Sequence, residues 1–111
     1  MDSILSSIKK QLNISDEYTH FDQDIIMCIN SAMATLNQLG VGPSAGFVIL
    51  DSDNTWAELL GSNLKLEFVK MYVYLKTRLI FDPPATSYLV DAMNKNIAEL
   101  ESRILMAVET P

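Results

Sequence analysis

Few side chains in this 111-residue sequence have the type and spacing that chemistry at a site requires. His20, in the stretch YTHFD, is the single histidine, so any histidine-based metal site or His–carboxylate pair must use it. No second ligand lies beside it in sequence, and we interpret it as a loop residue that is solvated or hydrogen-bonded. Cys28 is the single cysteine. Because no Lys, Arg or His lies near it in sequence to activate the thiol, the pattern favours a small buried hydrophobe over a nucleophile.

The acidic stretch DSDNT, at residues 51–55, begins like a calcium-binding loop but does not continue as one. Its sixth position is Trp56, where such a loop requires glycine, and its twelfth is Ser62, where a bidentate glutamate is needed. We therefore interpret the stretch as the start of a helix, with Asp53 or Asn54 as the capping residue. The common nucleotide-binding, hydrolase, metalloprotease and dithiol motifs are also missing from the sequence. We expect no enzyme activity, no catalytic residue, no cofactor and no metal ion.

Composition and charge indicate a single soluble domain over residues 1–111, with a thin but independent core. The net charge of −6 disfavours non-specific binding of nucleic acid, because neutralisation of phosphates by Lys and Arg supplies most of that affinity. A lone cysteine cannot form an intrachain disulfide, and the N-terminus lacks the basic region of a secretory signal, so we expect a reducing, cytosolic setting. The apolar runs are far shorter than the ~20 residues that cross a bilayer, which predicts no membrane association.

Apolar residues recur with helical periodicity along most of the chain. The pattern predicts a short helix in TWAELL and four longer helices, over residues 3–12, 21–39, 64–82 and 86–107. Thr19 or Asp22 is the expected cap of the second helix, and Gly40 is expected to end it. Gly61 is expected to end the short helix. The fold class is therefore all-α: a small bundle of about four to five helices, with a long antiparallel αα-hairpin and one extended loop or tongue.

Residues 40–54, GVGPSAGFVILDSDN, are the one segment with β-like character. Two glycines and a proline precede the apolar run FVIL, and a polar turn follows it. A single short strand cannot form a sheet by itself. We predict a loop or small hairpin tongue, and pairing of this tongue with another chain stays open.

Two consecutive prolines, Pro83 and Pro84, lie in the stretch LIFDPPATSYL between the last two helices. Proline disfavours the helical conformation in the residue before it and has no N–H to donate, so the first of these helices must stop. Thr86 or Ser87 is expected to cap the second. The corner predicts a stiff connection that makes the two helices antiparallel neighbours.

Helix 64–82 is the most apolar of the set, which indicates a central helix that contacts more than one neighbour. Lys76 lies among its apolar residues, whereas Lys70 and Arg78 lie on roughly the opposite side. This dispersal argues against a nucleic-acid-binding stripe, whose basic residues would share one face. Two interpretations of Lys76 remain open: its aliphatic stem covers apolar neighbours, or its charge pairs with an acid of another subunit.

The segment VKMYVYLKTRLIFDPPATSYLVDAMNKNIAELESRI, residues 69–104, carries a specific set of features. They are Val69, Tyr72, Tyr74, Lys76 and Arg78 on one helix, the corner Phe81-Asp82-Pro83-Pro84, and Glu99-Leu100-Glu101 with Arg103 on the next helix. With these features the segment resembles the tailed-phage head-tail connector (adaptor) family, whose members are also labelled phage DNA-packaging proteins. Residues 19–43 and the pair Thr55-Trp56 are similar to that family as well. Ser102 departs from the pattern, which has an aromatic residue there.

The resemblance implies an all-helical structural subunit that forms a homo-oligomeric ring, twelve-fold in the virion, beneath the portal protein. Such a ring extends the DNA channel toward a head-tail stopper or tail protein, and double-stranded DNA passes through without sequence-specific binding. It also implies assembly in the host cytoplasm and a final location at the head-tail interface of the virion. The acidic composition agrees with this role, because like charge discourages DNA from adhering.

Residues of the tongue, the short helix and helix 64–82 are the candidates for a subunit or portal interface. They are Phe47, Ile49, Trp56, Lys76, Arg78 and Phe81. For Trp56, anchoring of the short helix in the core is the competing interpretation. Met27 and Met106 fall on polar helix faces and are further candidate contact residues. The alternative function is a small acidic helical adaptor or regulator that binds a single protein partner.

Overall fold

The computed structural model describes residues 3–61 and 68–109 of the chain. Its helices, in chain order, are α1 (Ile4–Gln11), α2 (Asp22–Gln38), α3 (Trp56–Leu60), α4 (Val69–Phe81) and α5 (Ser87–Glu109). The described residues contain no strand, and their extended backbone pairs at an isolated antiparallel bridge between Ser3 and Thr55. The predicted all-α bundle is therefore confirmed.

Helix α4 is the central element, because it packs against α2 and against α5. Phe21, just before α2, lies edge-on to Phe81 at the end of α4, with ring centroids 5.5 Å apart, so these two helices run antiparallel. Tyr72, near the start of α4, contacts Glu101, near the end of α5, as the predicted antiparallel hairpin requires. The core consists of the inward faces of these helices and of α1, and its fully buried residues include Ile4, Ile8, Ile25, Ile29, Leu36, Val69, Val73 and Ile104.

A buried lysine ties α1 to the start of α2. The Nζ atom of Lys9 lies 2.8 Å from Oδ1 of Asp22 and donates to the backbone carbonyls of Asp16 at 3.2 Å and Tyr18 at 2.8 Å. The lysine side chain is 2% exposed, and its ammonium group is held inside the protein by one ion pair and two hydrogen bonds. This arrangement fixes the loop between α1 and α2.

A second buried polar contact joins α4 to α5. The hydroxyl of Tyr72 donates to Oε2 of Glu101 at 2.7 Å, and the tyrosine side chain is fully buried. Burial, and then the hydrogen bond to the Glu101 carboxylate, raise the pKa of Tyr72 well above its ordinary value. The hydroxyl therefore stays protonated and remains a donor.

The start of α2 differs from the prediction that Thr19 or Asp22 caps it. Phe21 occupies the N-cap position and makes no side-chain capping hydrogen bond. The Asp22 carboxylate is engaged by Lys9 instead, so it serves the tertiary contact rather than the cap. Its negative charge in the first turn still complements the helix dipole.

The prediction that Asp53 or Asn54 caps the short helix is wrong. Thr55 is the N-cap of α3: its hydroxyl accepts from the Glu58 N–H at 3.2 Å, and Glu58 Oε1 accepts from the Thr55 N–H at 2.7 Å. This reciprocal pair is a capping box. Asn54 Oδ1 accepts instead from the N–H of Leu50 at 2.7 Å, so that side chain closes the preceding turn.

The proline corner and the helices beside it follow the prediction. Helix α4 ends at Phe81, and Asp82 has the non-helical angles φ −150° and ψ 66° that a following proline favours. The hydroxyl of Thr86 accepts from the N–H of Leu89 at 3.4 Å in the first turn of α5. Residues 64–67, which the sequence places at the start of α4, lie outside the described residues.

The segment 40–54 is an irregular loop rather than a hairpin, and it folds back onto α2. Asn30 holds both backbone groups of Ile49: its Nδ2 donates to the Ile49 carbonyl at 3.0 Å, and its Oδ1 accepts from the Ile49 N–H at 2.7 Å. One amide side chain thus satisfies the backbone groups that a neighbouring strand would pair in a sheet. The loop is therefore held in place by α2 of the same chain.

Candidate functional site

Two of the predicted interface residues, Ile49 and Trp56, are buried within the chain. The indole Nε1 of Trp56 donates to Oγ of Ser7 at 3.2 Å, which anchors α3 to α1. In this conformation neither side chain presents surface to a second molecule. Phe47, at the start of the same extended run, is partly buried against the core.

Lys76 and Arg78 are half-buried and make contacts within α4 and at its end. The Nζ atom of Lys76 lies 6.0 Å from the ring centroid of Tyr72, which agrees with a stem that covers apolar neighbours. The Nη1 atom of Arg78 donates to the Tyr74 hydroxyl at 3.2 Å, and its Nε donates to the Asp82 carbonyl at 3.4 Å. Arg78 therefore braces the last turn of α4 against the proline corner.

Phe81 borders an open groove of about 600 Å³ between α2 and α4, which we call the α2–α4 groove. Its lining residues are Phe21, Asp24, Met27, Cys28, Ser31, Ile80 and Phe81. Met27 is 71% exposed and Ile80 is 60% exposed. Covering these neighbouring apolar side chains would be favourable, which makes the groove a candidate contact surface.

Aromatic rings form one end of this groove. Phe21 contacts His20 with ring centroids 4.8 Å apart, Tyr18 at 5.8 Å and Phe81 at 5.5 Å. His20 is thus an exposed loop residue packed against aromatic rings, in agreement with its interpretation from sequence. These rings pack together where the α1–α2 loop meets the end of α4, and they border the groove there.

The thiol of Cys28 lies in the groove without the features of a nucleophile. Burial, and then the negative charge of Asp24, raise the pKa of the Cys28 thiol, which keeps it protonated and weakly reactive at neutral pH. Over residues 3–61 and 68–109, no three His, Cys, Asp or Glu side chains converge to hold a metal ion. The described lining of the groove therefore offers neither an activated thiol nor a cluster of metal ligands.

A second concave region lies between α1 and α4, with a volume of about 380 Å³. Its lining residues, which we call the α1–α4 surface, are Ser7, Ile8, Gln11, Lys70, Met71 and Tyr74. Met71 is 54% exposed, and the Nζ atom of Lys70 lies 6.0 Å from the ring centroid of Trp56.

Sequence reasoning missed the exposure of both Met71 and Ile80, because periodicity shows that a residue is apolar but not which neighbour covers it.

Two further exposed apolar positions lie on the loop over α2. Val48 and Leu50, on either side of the buried Ile49, are 56% and 74% exposed. On α5, Met106 is exposed, as its position on a polar face predicts. The chain thus has exposed apolar side chains on several of its elements.

Comparison with known proteins identifies the family. In the described residues, no helix has the length and apolar character needed to span a membrane. A family model described as phage connector protein matches residues 4–111, a range that includes all the helices given above. Comparisons with curated proteins and with solved structures found no match. The chain therefore belongs to the phage connector protein family, a family of structural proteins.

Proposed function

We propose that this chain is a head-tail connector subunit, which forms a ring beneath the portal protein and extends the DNA channel toward the tail. The observation that carries the proposal is the family match over residues 4–111. The ring is twelve-fold in the virion, with the portal on one side and a head-tail stopper or tail protein on the other. Subunits assemble in the host cytoplasm and finish at the head-tail interface.

The geometry supports a role that depends on rigidity and contact. Internal polar contacts at Lys9 and Tyr72 fix the helices relative to one another. At the same time, Met27, Met71 and Ile80 stay exposed, and their burial against another chain would be favourable. A subunit that forms part of a ring needs both a fixed shape and an exposed surface that a neighbouring chain can cover.

Within this proposal the candidate interface residues act in two ways. Phe81 contributes directly through the α2–α4 groove. Lys76 contributes from the second half of α4, and Arg78 from its last turn. Ile49 and Trp56 act indirectly by holding the exposed loop and α3 in place. Phe47 is the partly buried start of that loop.

The channel is proposed to pass DNA without gripping it. The net charge of −6 leaves no general attraction for phosphates, and a ring multiplies that charge by the number of subunits. Like charge along the wall keeps the duplex from adhering while it moves.

Native mass spectrometry over a concentration series, with and without the cognate portal, tests this function. A discrete ring, either alone or only on the portal, is the expected result. The portal alone is the control for mass assignment. A monomer or dimer that ignores the portal would overturn the proposal and favour the acidic adaptor that binds one protein partner.

A further inference from the structure

We propose that the α2–α4 groove of one subunit receives the α1–α4 surface of the next copy of this chain. In this contact Met71 of one copy lies against Met27 and Ile80 of its neighbour. The inference rests on the proposed ring function and deepens it, because it names the two surfaces through which subunits meet.

The two surfaces face opposite directions. Met71 and Ile80 lie nine residues apart on α4, and at about 100° per residue this spacing places their side chains about half a turn apart. Each is more than half exposed. The central helix of the bundle therefore presents one apolar side chain on each of two opposite faces.

The charges of the two surfaces are complementary. Of the described residues that line the α2–α4 groove, Asp24 is the one that carries a full charge, and it is negative. On the α1–α4 surface, the corresponding residue among those described is Lys70, which is positive and already makes interactions within its own chain. Contact between unlike surfaces brings Asp24 near Lys70, whereas contact between two copies of the groove would bring Asp24 near Asp24. Electrostatic complementarity therefore selects the head-to-tail arrangement.

The apolar groups also match. Methionine is unbranched and flexible, so Met71 can fill an irregular apolar gap. The groove is walled by Phe21 and Phe81 and has room, at about 600 Å³, for Met71 together with part of its flanking surface. Burial of Met71, Met27 and Ile80 in one contact removes three exposed apolar side chains from water.

A head-to-tail contact leaves one groove and one α1–α4 surface available on every growing assembly. Such a contact closes into a ring when the rotation between copies allows it. A symmetric contact between two identical surfaces would stop at a dimer. This difference gives the proposal a direct test.

The first experiment places thiols at the two exposed positions in a Cys28→Ser background. Three variants are compared: Met71→Cys, Ile80→Cys, and both together, each treated with a short bis-maleimide with and without the portal. The double variant is expected to give a ladder of trimers and larger species on a denaturing gel. Each single variant carries one thiol and can give at most dimers. If the double variant gives no more than the singles while the unmodified chain forms a ring, the contact uses other surfaces and the inference fails.

The second experiment exchanges the charges. Asp24→Lys is expected to lower the population of rings at least about tenfold, and Lys70→Glu is expected to do the same. The double exchange is expected to restore assembly. Asp91→Lys, an exposed change on α5 outside both surfaces, is the matched control, and thermal unfolding verifies that each variant is folded.

These outcomes distinguish a failure of the proposed subunit contact from a failure of the proposed ring function. Equal effects of Asp24→Lys and Asp91→Lys, or a double exchange that assembles no better than the single variants, would overturn the pairing and leave the ring function standing. Failure of the unmodified chain to assemble, alone or on the portal, would overturn the ring function and this inference together.

Discussion

Two regions on opposite sides of the first turns of α2 differ in how completely their side chains are buried. On the inner side, Asp22 meets Lys9, whose ammonium group is also held by two backbone carbonyls and is almost completely buried. On the outer side, Asp24 and Met27 line the α2–α4 groove, where large apolar side chains remain exposed. The inner region is complete within one chain, whereas the outer region leaves large apolar side chains in water.

This contrast predicts that the free energy of unfolding and any association with another chain depend on different residues. A buried charge that loses its partner is costly, whereas removal of an exposed apolar group has little effect on folding. Substitutions in the inner region should therefore change the free energy of unfolding. Substitutions in the groove should change association and leave folding nearly unaltered.

Lys9→Met is expected to have the largest effect on stability. Methionine keeps the length of the stem but leaves Oδ1 of Asp22, a buried atom, without its cation. Because breaking one half of a buried pair is costly, and the Asp22 side chain keeps some access to water, we expect a loss of about 3 kcal/mol. Urea denaturation measures this change.

Lys10→Met is the matched control for this prediction. Lys10 is the next residue of α1 and is exposed, so its replacement should change the free energy of unfolding by less than about 0.5 kcal/mol. Equal effects at the two positions would show that the buried contact at Lys9 does not stabilise the fold.

Tyr72→Phe is expected to cost about 2 kcal/mol at neutral pH, because it removes a buried hydrogen bond to a carboxylate. The effect depends on pH in a defined direction. The pKa of Tyr72 is raised in the folded protein, so its contribution to stability is fully present below the ordinary tyrosine value of about 10 and is lost as pH rises above it. The difference between the unmodified chain and Tyr72→Phe should therefore stay constant from pH 9 to about 10 and shrink as the pH rises from 10 to 11.

The free energy of unfolding, measured across that pH range, tests the Tyr72 prediction. Tyr88→Phe, at an exposed position on α5, is the control and should show neither the loss nor the pH dependence. A difference for Tyr72→Phe that stays constant with pH would contradict the assigned role of the hydroxyl.

Local sequence signals predicted the elements but not the contacts that join them. Periodicity and the two prolines located the helices and the corner, because these depend on residues close together in the chain. The cap of α3 was predicted one or two residues too early, at Asp53 or Asn54. Both Asn54 and Thr55 can cap, and the choice depends on the turn that Asn54 closes at Leu50. The burial of Lys9 was also missed, because its acceptors lie in a loop whose path the sequence does not specify.

The candidate site was only partly predictable for a similar reason. The resemblance pointed to an interface and to Phe81, which the structure places at the groove. The same reasoning selected Ile49 and Trp56, which lie inside the chain because Asn30 and Ser7 bind them there. Which apolar residues remain exposed is a property of the packed bundle, and a single sequence does not encode it in local spacing.

The double variant Pro83→Ala/Pro84→Ala tests whether the corner sets the angle between subunits. Loss of two prolines increases the entropy of the unfolded chain, so we expect a loss of about 1 kcal/mol. If the corner fixes the subunit rotation, the variant should give open or heterogeneous assemblies on the portal. Pro43→Ala, in the exposed loop after α2, is the control. A folded variant that still builds closed rings, seen by electron microscopy and native mass spectrometry, would limit the corner to its role as a turn.

Ile80→Ser is expected to have the smallest effect on folding, below about 0.5 kcal/mol, because most of the side chain is already in water. Ile29→Val, which removes one methylene from a fully buried position of α2, should cost more, about 1 kcal/mol, although it deletes fewer atoms. Urea denaturation of both variants therefore compares the two regions directly. If Ile80→Ser destabilises the monomer more than Ile29→Val does, then Ile80 is packed within the single chain in solution. The groove would then not be open to a neighbour. Ile80 would belong to the buried interior of the chain, and the distinction between the two regions would be wrong at this residue.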